Sequence, residues 1–125
     1  MLKLSVLDEI CSICRLSPDE EIPTWAAAGH FYSITRTRDE LSIVCESRYV
    51  PTGSRAEPGW RVLKVEGPLD FSLTGILAAL AGALANAGVS LFAVSTYDTD
   101  YLLIREEDLE TGIRALRDAG YEVQL

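Results

Sequence analysis

Lysine is almost missing from this chain: Lys3 and Lys64 are the only two in 125 residues. Against 19 acidic residues, the 11 Lys and Arg leave a formal charge of −8 at pH 7. Such a surface repels phosphate backbones, so nucleic acid is excluded as a partner unless the arginines cluster. Histidine is reduced to His30, which leaves no two-histidine metal site within one chain. Three cysteines, an odd number, argue against a secreted disulfide framework and point to a reducing cytoplasm. Neither G-x-G-x-x-G nor G-x-x-x-x-G-K occurs, so no phosphate loop is expected. MLKLSVLDEI reaches Asp8 and Glu9 before any long apolar run, which does not read as a signal peptide. No Ser or Cys nucleophile pairs with His30 by a catalytic signature, so no catalytic residue, cofactor or enzyme activity is expected. The acidic loop Ser17–Thr24 carries no arginine, which speaks against a phosphate-cradling hydrolase.

Charge is also missing from Leu73 to Val94, LTGILAALAGALANAGVSLFAV, a stretch long enough for a bilayer. It breaks at Asn86-Ala87-Gly88, a helix-stop signal, and its flanks carry Asp70 and Asp98 rather than basic anchors. A buried helix followed by a buried strand is the reading, not a membrane span.

What is present is a 48% hydrophobic chain of single-domain size, with a hairpin pattern that occurs twice. Phe31–Ser47 and Leu91–Glu107 both alternate, break at an Asp-bearing turn and alternate again. Set sixty residues apart, Ile34 falls on Val94, Leu41 on Tyr101 and Glu46 on Glu106. A repeat implies two similar lobes, and ligands favour the seams between lobes. The coarse order is strands at Leu2–Leu7 and Ile10–Leu16 with a turn at Asp8-Glu9, then a short helix from Pro23-Thr24 to Ala28. The first hairpin follows, at Phe31–Thr37 and Leu41–Glu46, and then a Pro/Gly-rich connector. The second half reads as a strand at Trp60–Glu66, a helix capped by Ser72 or Thr74 and running to Ala87, and a hairpin at Val89–Thr96 and Tyr101–Arg105. A helix from Asp108 to Ala119 and a strand at Tyr121–Gln124 complete it. The fold class is α+β: a complete ferredoxin-like βαββαβ lobe at 60–125, a connector at 51–59 and a reduced lobe at 1–50.

Cys11-Ser12-Ile13-Cys14 is a C-x-x-C, but in a strand residues three apart face opposite sides. It is expected to be one buried and one half-exposed thiol, with no metal site. His30 reads as a surface or capping residue. Two features point to binding. The turn Gly67–Thr74 feeds a helix N-terminus, whose free N–H groups suit a carboxylate. Asp98 and Asp100 in the second hairpin turn suit an ammonium or guanidinium group. Together they fit a zwitterion.

The runs Thr74-Gly75-Ile76-Leu77, Gly88-Val89-Ser90 and Ser95-Thr96-Tyr97-Asp98-Thr99-Asp100-Tyr101-Leu102-Leu103-Ile104-Arg105-Glu106-Glu107-Asp108-Leu109 resemble the ACT-domain family. Within it the chain is similar to small bacterial two-lobed ACT proteins and to the lobes of the cytosolic arginine sensor. FYSITRTRDELSIVC and GPLDFSLTGILA resemble the bacterial group too. The resemblance implies a regulatory module that binds a small effector, often an amino acid, between lobes or subunits. It implies ligand contacts at Gly75, Ile76 and Asp100. With the turn readings, the candidate ligand-binding set is Asp70, Thr74, Gly75, Ile76, Leu77, Asp98 and Asp100. A homodimer, and an unidentified enzyme that listens to the module, are the expected partners. The alternative is a ligand-free domain that dimerises through its ACT-like lobes.

Overall fold

The structure, a computed structural model, describes residues 2–70 and 74–125. The elements are β1 (Lys3–Leu16), β2 (Tyr32–Arg36), β3 (Leu41–Glu46), β4 (Ala56–Val65), α1 (Ile76–Asn86), β5 (Phe92–Ser95), β6 (Asp100–Arg105), α2 (Leu109–Asp118) and β7 (Glu122–Gln124). Short 3-10 turns lie at Thr24–Ala27, Ser47–Tyr49 and Glu106–Asp108. The first replaces the α-helix expected from Pro23-Thr24 to Ala28. The chain forms two compact units, one of Met1–Asp8 with Arg61–Leu125 and one of Glu9–Trp60.

In the C-terminal unit the strand order is β7, β1, β4, β6, β5. The opening of β1 pairs in parallel with β7, Lys3 opposite Glu122 and Ser5 opposite Gln124. On its other side the Lys3 carbonyl accepts the Glu66 N–H at 2.8 Å. The first strand of the chain therefore sits between the first and last strands of the β4-α1-β5-β6-α2-β7 run. The sequence reading had assigned those residues to the N-terminal lobe. The core joins Leu4, Leu63, Val65, Leu80, Leu84, Leu102, Ile104 and Leu116. Each such side chain contributes about 1.5–3 kcal/mol on burial.

The two helices end alike. Gly88 (φ 74) and Gly120 (φ 96) take the left-handed conformation that follows a helix. Val89 N–H bonds the Leu84 carbonyl at 2.9 Å and Tyr121 N–H the Leu116 carbonyl at 3.0 Å. The apolar run thus stops where Asn86-Ala87-Gly88 signals it should. Among the described residues no helix is long and apolar enough to cross a membrane.

The start of α1 differs from expectation. Its cap is Gly75, at φ 79, with no side-chain cap bond, so Thr74 does not cap it. A left-handed cap position favours glycine over a β-branched residue. Ser72 and Leu73, the other expected cap and first helical residue, lie outside the described residues.

In the N-terminal unit the order is β2, β3, β1, β4, with Cys14, Ala26, Leu41, Ile43 and Cys45 as core. Asp8-Glu9 makes no turn: β1 runs unbroken through it. The hairpin does recur, but its register repeats at 59 residues rather than sixty. Arg36 pairs with Leu41 and Ser95 with Asp100. Both turns close in the same way, Thr37 N–H to the Glu40 carbonyl at 2.9 Å and Thr96 N–H to the Thr99 carbonyl at 2.8 Å. The shared turn is therefore Thr37-Arg38-Asp39-Glu40 and Thr96-Tyr97-Asp98-Thr99, with Thr and Asp in common.

Candidate functional site

The β5–β6 turn is held from three sides. Thr99, only 5% exposed, donates its hydroxyl to the Val65 carbonyl at 2.5 Å. The Thr96 hydroxyl accepts the Thr99 N–H at 3.3 Å, and Leu69 N–H donates to the Asp98 carbonyl at 2.6 Å. These bonds tie the loop after β4 to the hairpin turn. Between them lies a cleft of about 360 Å³. Asp70, Gly75, Ile76 and Leu77 line it from one side, Asp98 and Asp100 from the other. Thr74 is exposed and is not among the lining residues.

Sequence reasoning missed Ser95, Thr96, Tyr97 and Thr99 as lining residues. The T-x-D turn shared by the two hairpins was the available signal for them. The Ser95 hydroxyl donates to the Asp100 carboxylate at 2.6 Å, which orients that group. A Cβ placed on Gly75 meets nothing within 4 Å, so backbone conformation, not crowding, calls for glycine here. The described lining holds three carboxylates and no Lys, Arg or His. Its potential therefore favours a ligand bearing positive charge. Tyr97, 80% exposed, stands on the rim, so the cleft is not enclosed by its own unit.

Two other depressions are as large. One of about 380 Å³ lies between α1 and α2, and one of about 510 Å³ beside α2 and Leu125. Volume does not decide among the three. The first alone joins a helix N-terminus to carboxylates on a pinned turn, a set of convergent polar groups.

The remaining chemistry-bearing residues are structural. Cys11 and Cys14 are both buried, at 0% and 2% exposure, so the half-exposed thiol expected of the C-x-x-C is absent. Three apart on β1 they face opposite sides, and both faces are covered there. Burial, then the carboxylates of Glu46 and Glu9, push the Cys11 thiol up to about 12, which keeps it protonated and inert at neutral pH. Cys14 is lowered by a hydrogen bond from the Cys45 thiol, which is itself raised by the same contact and by burial. His30 is exposed. Among the described residues no three His, Cys, Asp or Glu are grouped to hold a metal.

A family model described as the ACT domain matches residues 55–118, more than half of the chain. The chain belongs to the ACT-domain family. A separate model of an N-terminal domain matches residues 9–53 of this ACT protein. The cytosolic arginine sensor for mTORC1, subunit 1, of Rattus norvegicus is 37% identical over 112 residues, covering 77% of this chain and 34% of the sensor. The human counterpart is 37% identical over 59 residues, covering 46% of this chain and 18% of the sensor. The chain thus spans about a third of the length of the rat relative and less than a fifth of the human one. A solved protein of Agrobacterium tumefaciens is 45% identical, with a TM-score of 0.94, covering 99% of this chain and 92% of that one. The regulatory subunit of aspartate kinase from Thermus thermophilus shares the fold, with a TM-score of 0.66 at 16% identity, over 94% of this chain and 96% of that one.

Proposed function

We propose that this ACT protein is a regulatory module that binds an amino acid in the cleft between the β4–α1 loop and the β5–β6 turn. The observation that carries this is the geometry of the cleft, a glycine-capped helix start facing the carboxylates of Asp98 and Asp100. The ligand's carboxylate takes backbone N–H groups at the start of α1, near Gly75 and Ile76, where the helix dipole adds about 0.3–1 kcal/mol. Thr74 and Leu77 flank this contact. Asp100, oriented by Ser95, accepts the ligand's ammonium or basic side chain, with Asp70 and Asp98 adding negative potential. Kinship with an arginine sensor at 37% identity supports an amino acid as the ligand class. The open rim at Tyr97 and Asp98 is completed by a second copy of the chain, so the working form is a homodimer. Its role is regulatory rather than catalytic, and the reduced N-terminal unit is a second ACT-like lobe.

A thermal-shift screen with the twenty amino acids tests this. At about a hundred times its dissociation constant the ligand adds about 2.7 kcal/mol of apparent stability. A flat response to all twenty at millimolar concentration would leave the alternative, a ligand-free dimerising domain.

A further inference from the structure

Thr99 belongs to the cleft wall, yet its side chain is buried and its hydroxyl is turned to the Val65 carbonyl. Val65 ends β4 and Asp100 opens β6, so this bond ties the strand that leads into the β4–α1 loop to the residue beside Asp100. The backbone of Thr99 is bound within the turn. Its carbonyl accepts the Thr96 N–H at 2.8 Å and the Thr96 hydroxyl at 3.1 Å. Every polar group of Thr99 therefore has a partner inside the fold.

The loop presses on the same place. A Cβ on Gly67 would sit 3.0 Å from the Asp98 carbonyl oxygen, 3.0 Å from the Leu69 nitrogen and 3.3 Å from the Thr99 Cβ. The first two are backbone atoms and cannot turn aside. Gly67 is not among the glycines with positive φ, so close approach is what calls for glycine here. It lets loop and turn close to the distance at which Leu69 N–H reaches the Asp98 carbonyl.

We propose that Thr99 is a positioning residue: without touching the ligand, its hydroxyl sets where Asp100 stands against the start of α1. The inference rests on the amino-acid site proposed above and names the residue that holds that site in shape. A charged group binds best when it is held in place before the ligand arrives. Ser95 fixes the direction of the Asp100 carboxylate at 2.6 Å, and Thr99 fixes the strand end that carries it. Thr99→Val keeps the shape of the side chain and removes the donor. Thr99→Ser keeps the donor.

The test has one arm without ligand and one with it, both on the full chain. In the free protein, amide hydrogen exchange at Leu69, measured relative to Leu84 in the helix core, is faster in Thr99→Val and parental in Thr99→Ser. Equal exchange at Leu69 in all three proteins overturns the proposal. The second arm uses the amino acid that most raises the parent melting temperature. Calorimetry well below the melting temperature gives a Kd about tenfold higher in Thr99→Val, no higher than in Asp100→Ala, and a parental Kd in Thr99→Ser. In the Asp100→Ala background Thr99→Val adds nothing, because a residue that acts through Asp100 has nothing left to position. A lower melting temperature with an unmoved Kd marks the bond as structural only and overturns the proposal, as does an additive loss in the double variant. If no amino acid binds the parent, the amino-acid site falls, while exchange at Leu69 decides on the Thr99 tie by itself. Should Thr99→Val fail to fold, Gly67→Ala, which presses loop and turn apart and leaves the hydroxyl in place, is read in the same two ways.

Discussion

Glu46 is 4% exposed, and burial alone would push its carboxyl up. The His30 N–H at 2.6 Å and the Phe31 N–H at 3.4 Å outweigh that, together with Arg48 at 3.1 Å, and hold it below the ordinary glutamate value. A carboxyl depressed by folding stabilises the fold above its unfolded pKa and loses that contribution as pH falls. Parent stability should therefore decline as pH drops below about 4.3, and in Glu46→Gln that part of the slope should vanish in denaturant melts at pH 3–6. An unchanged slope would show that Glu46 is not the group responsible. Gly29 makes room for this carboxylate: a Cβ there would sit 2.0 Å from its Oε2. Nothing in the residue types around Glu46 marks it as buried; its role comes from the backbone N–H groups that the fold delivers. The position of Asp100 on the cleft wall, by contrast, follows from its place at the hairpin turn. Losing a partly desolvated charged hydrogen bond costs about 1.5–3 kcal/mol, so Asp100→Ala should weaken amino-acid binding about ten- to a hundredfold by calorimetry. The apo melt should move by less than about 0.5 kcal/mol, since the site is near the surface.

At the scale of elements, α1 shows what the sequence makes legible. Its alanines and leucines, and the stop at Gly88, were enough to separate a short helix from a membrane span, but the expected burial is not met: only Leu80 and Leu84 of α1 are buried, and β5 has no buried residue. Leu84 packs in the core and closes the helix end through its carbonyl. Leu84→Ala should thus cost about 2–5 kcal/mol in urea unfolding, with the cleft-lining turn unaltered; a loss under 1 kcal/mol would mean the helix is not seated as described. Other boundaries were less legible, for physical reasons. Asp8-Glu9 looked like a turn because paired acids often are, yet Asp8 is exposed and Glu9 half-buried within one extended strand. Alternation in a strand tolerates a charge at either kind of position, so it cannot mark that break. The hairpin repeat was visible, but its spacing was one residue too long. In strands a one-residue slip exchanges the two faces, so apolar matches alone misplace the lining side chains. Turn chemistry carried the register: Thr37 and Thr96 both accept from the N–H three residues on. The cap at Gly75 was missed because threonine is the commoner cap, whereas a left-handed φ takes glycine.

For the whole molecule, charge limits how copies can meet. Each chain carries −8, while α1 has no charged residue and exposes Ala78, Ala79, Gly82 and Ala85. Two copies can approach through α1 with little like-charge repulsion. Light scattering should then give about 27 kDa, twice the 13.7 kDa chain, and the dimer should tighten as salt rises to 0.5 M. A constant mass near 14 kDa across micromolar concentrations would remove the dimer without touching the fold. The position of strand Lys3–Ser5 beside β7 lay beyond sequence reasoning, because pairing between chain ends leaves no local pattern. The most direct test of the amino-acid site is an NMR footprint on the whole chain, using the amino acid that most raises the melting temperature. Saturable shifts should gather at Leu69, at Gly75–Ala78 and at Ser95–Asp100, and in Asp100→Ala they should need about ten- to a hundredfold more ligand. A footprint centred on the depression beside α2, or no saturable shift with any amino acid at millimolar concentration, would contradict the cleft as a binding site.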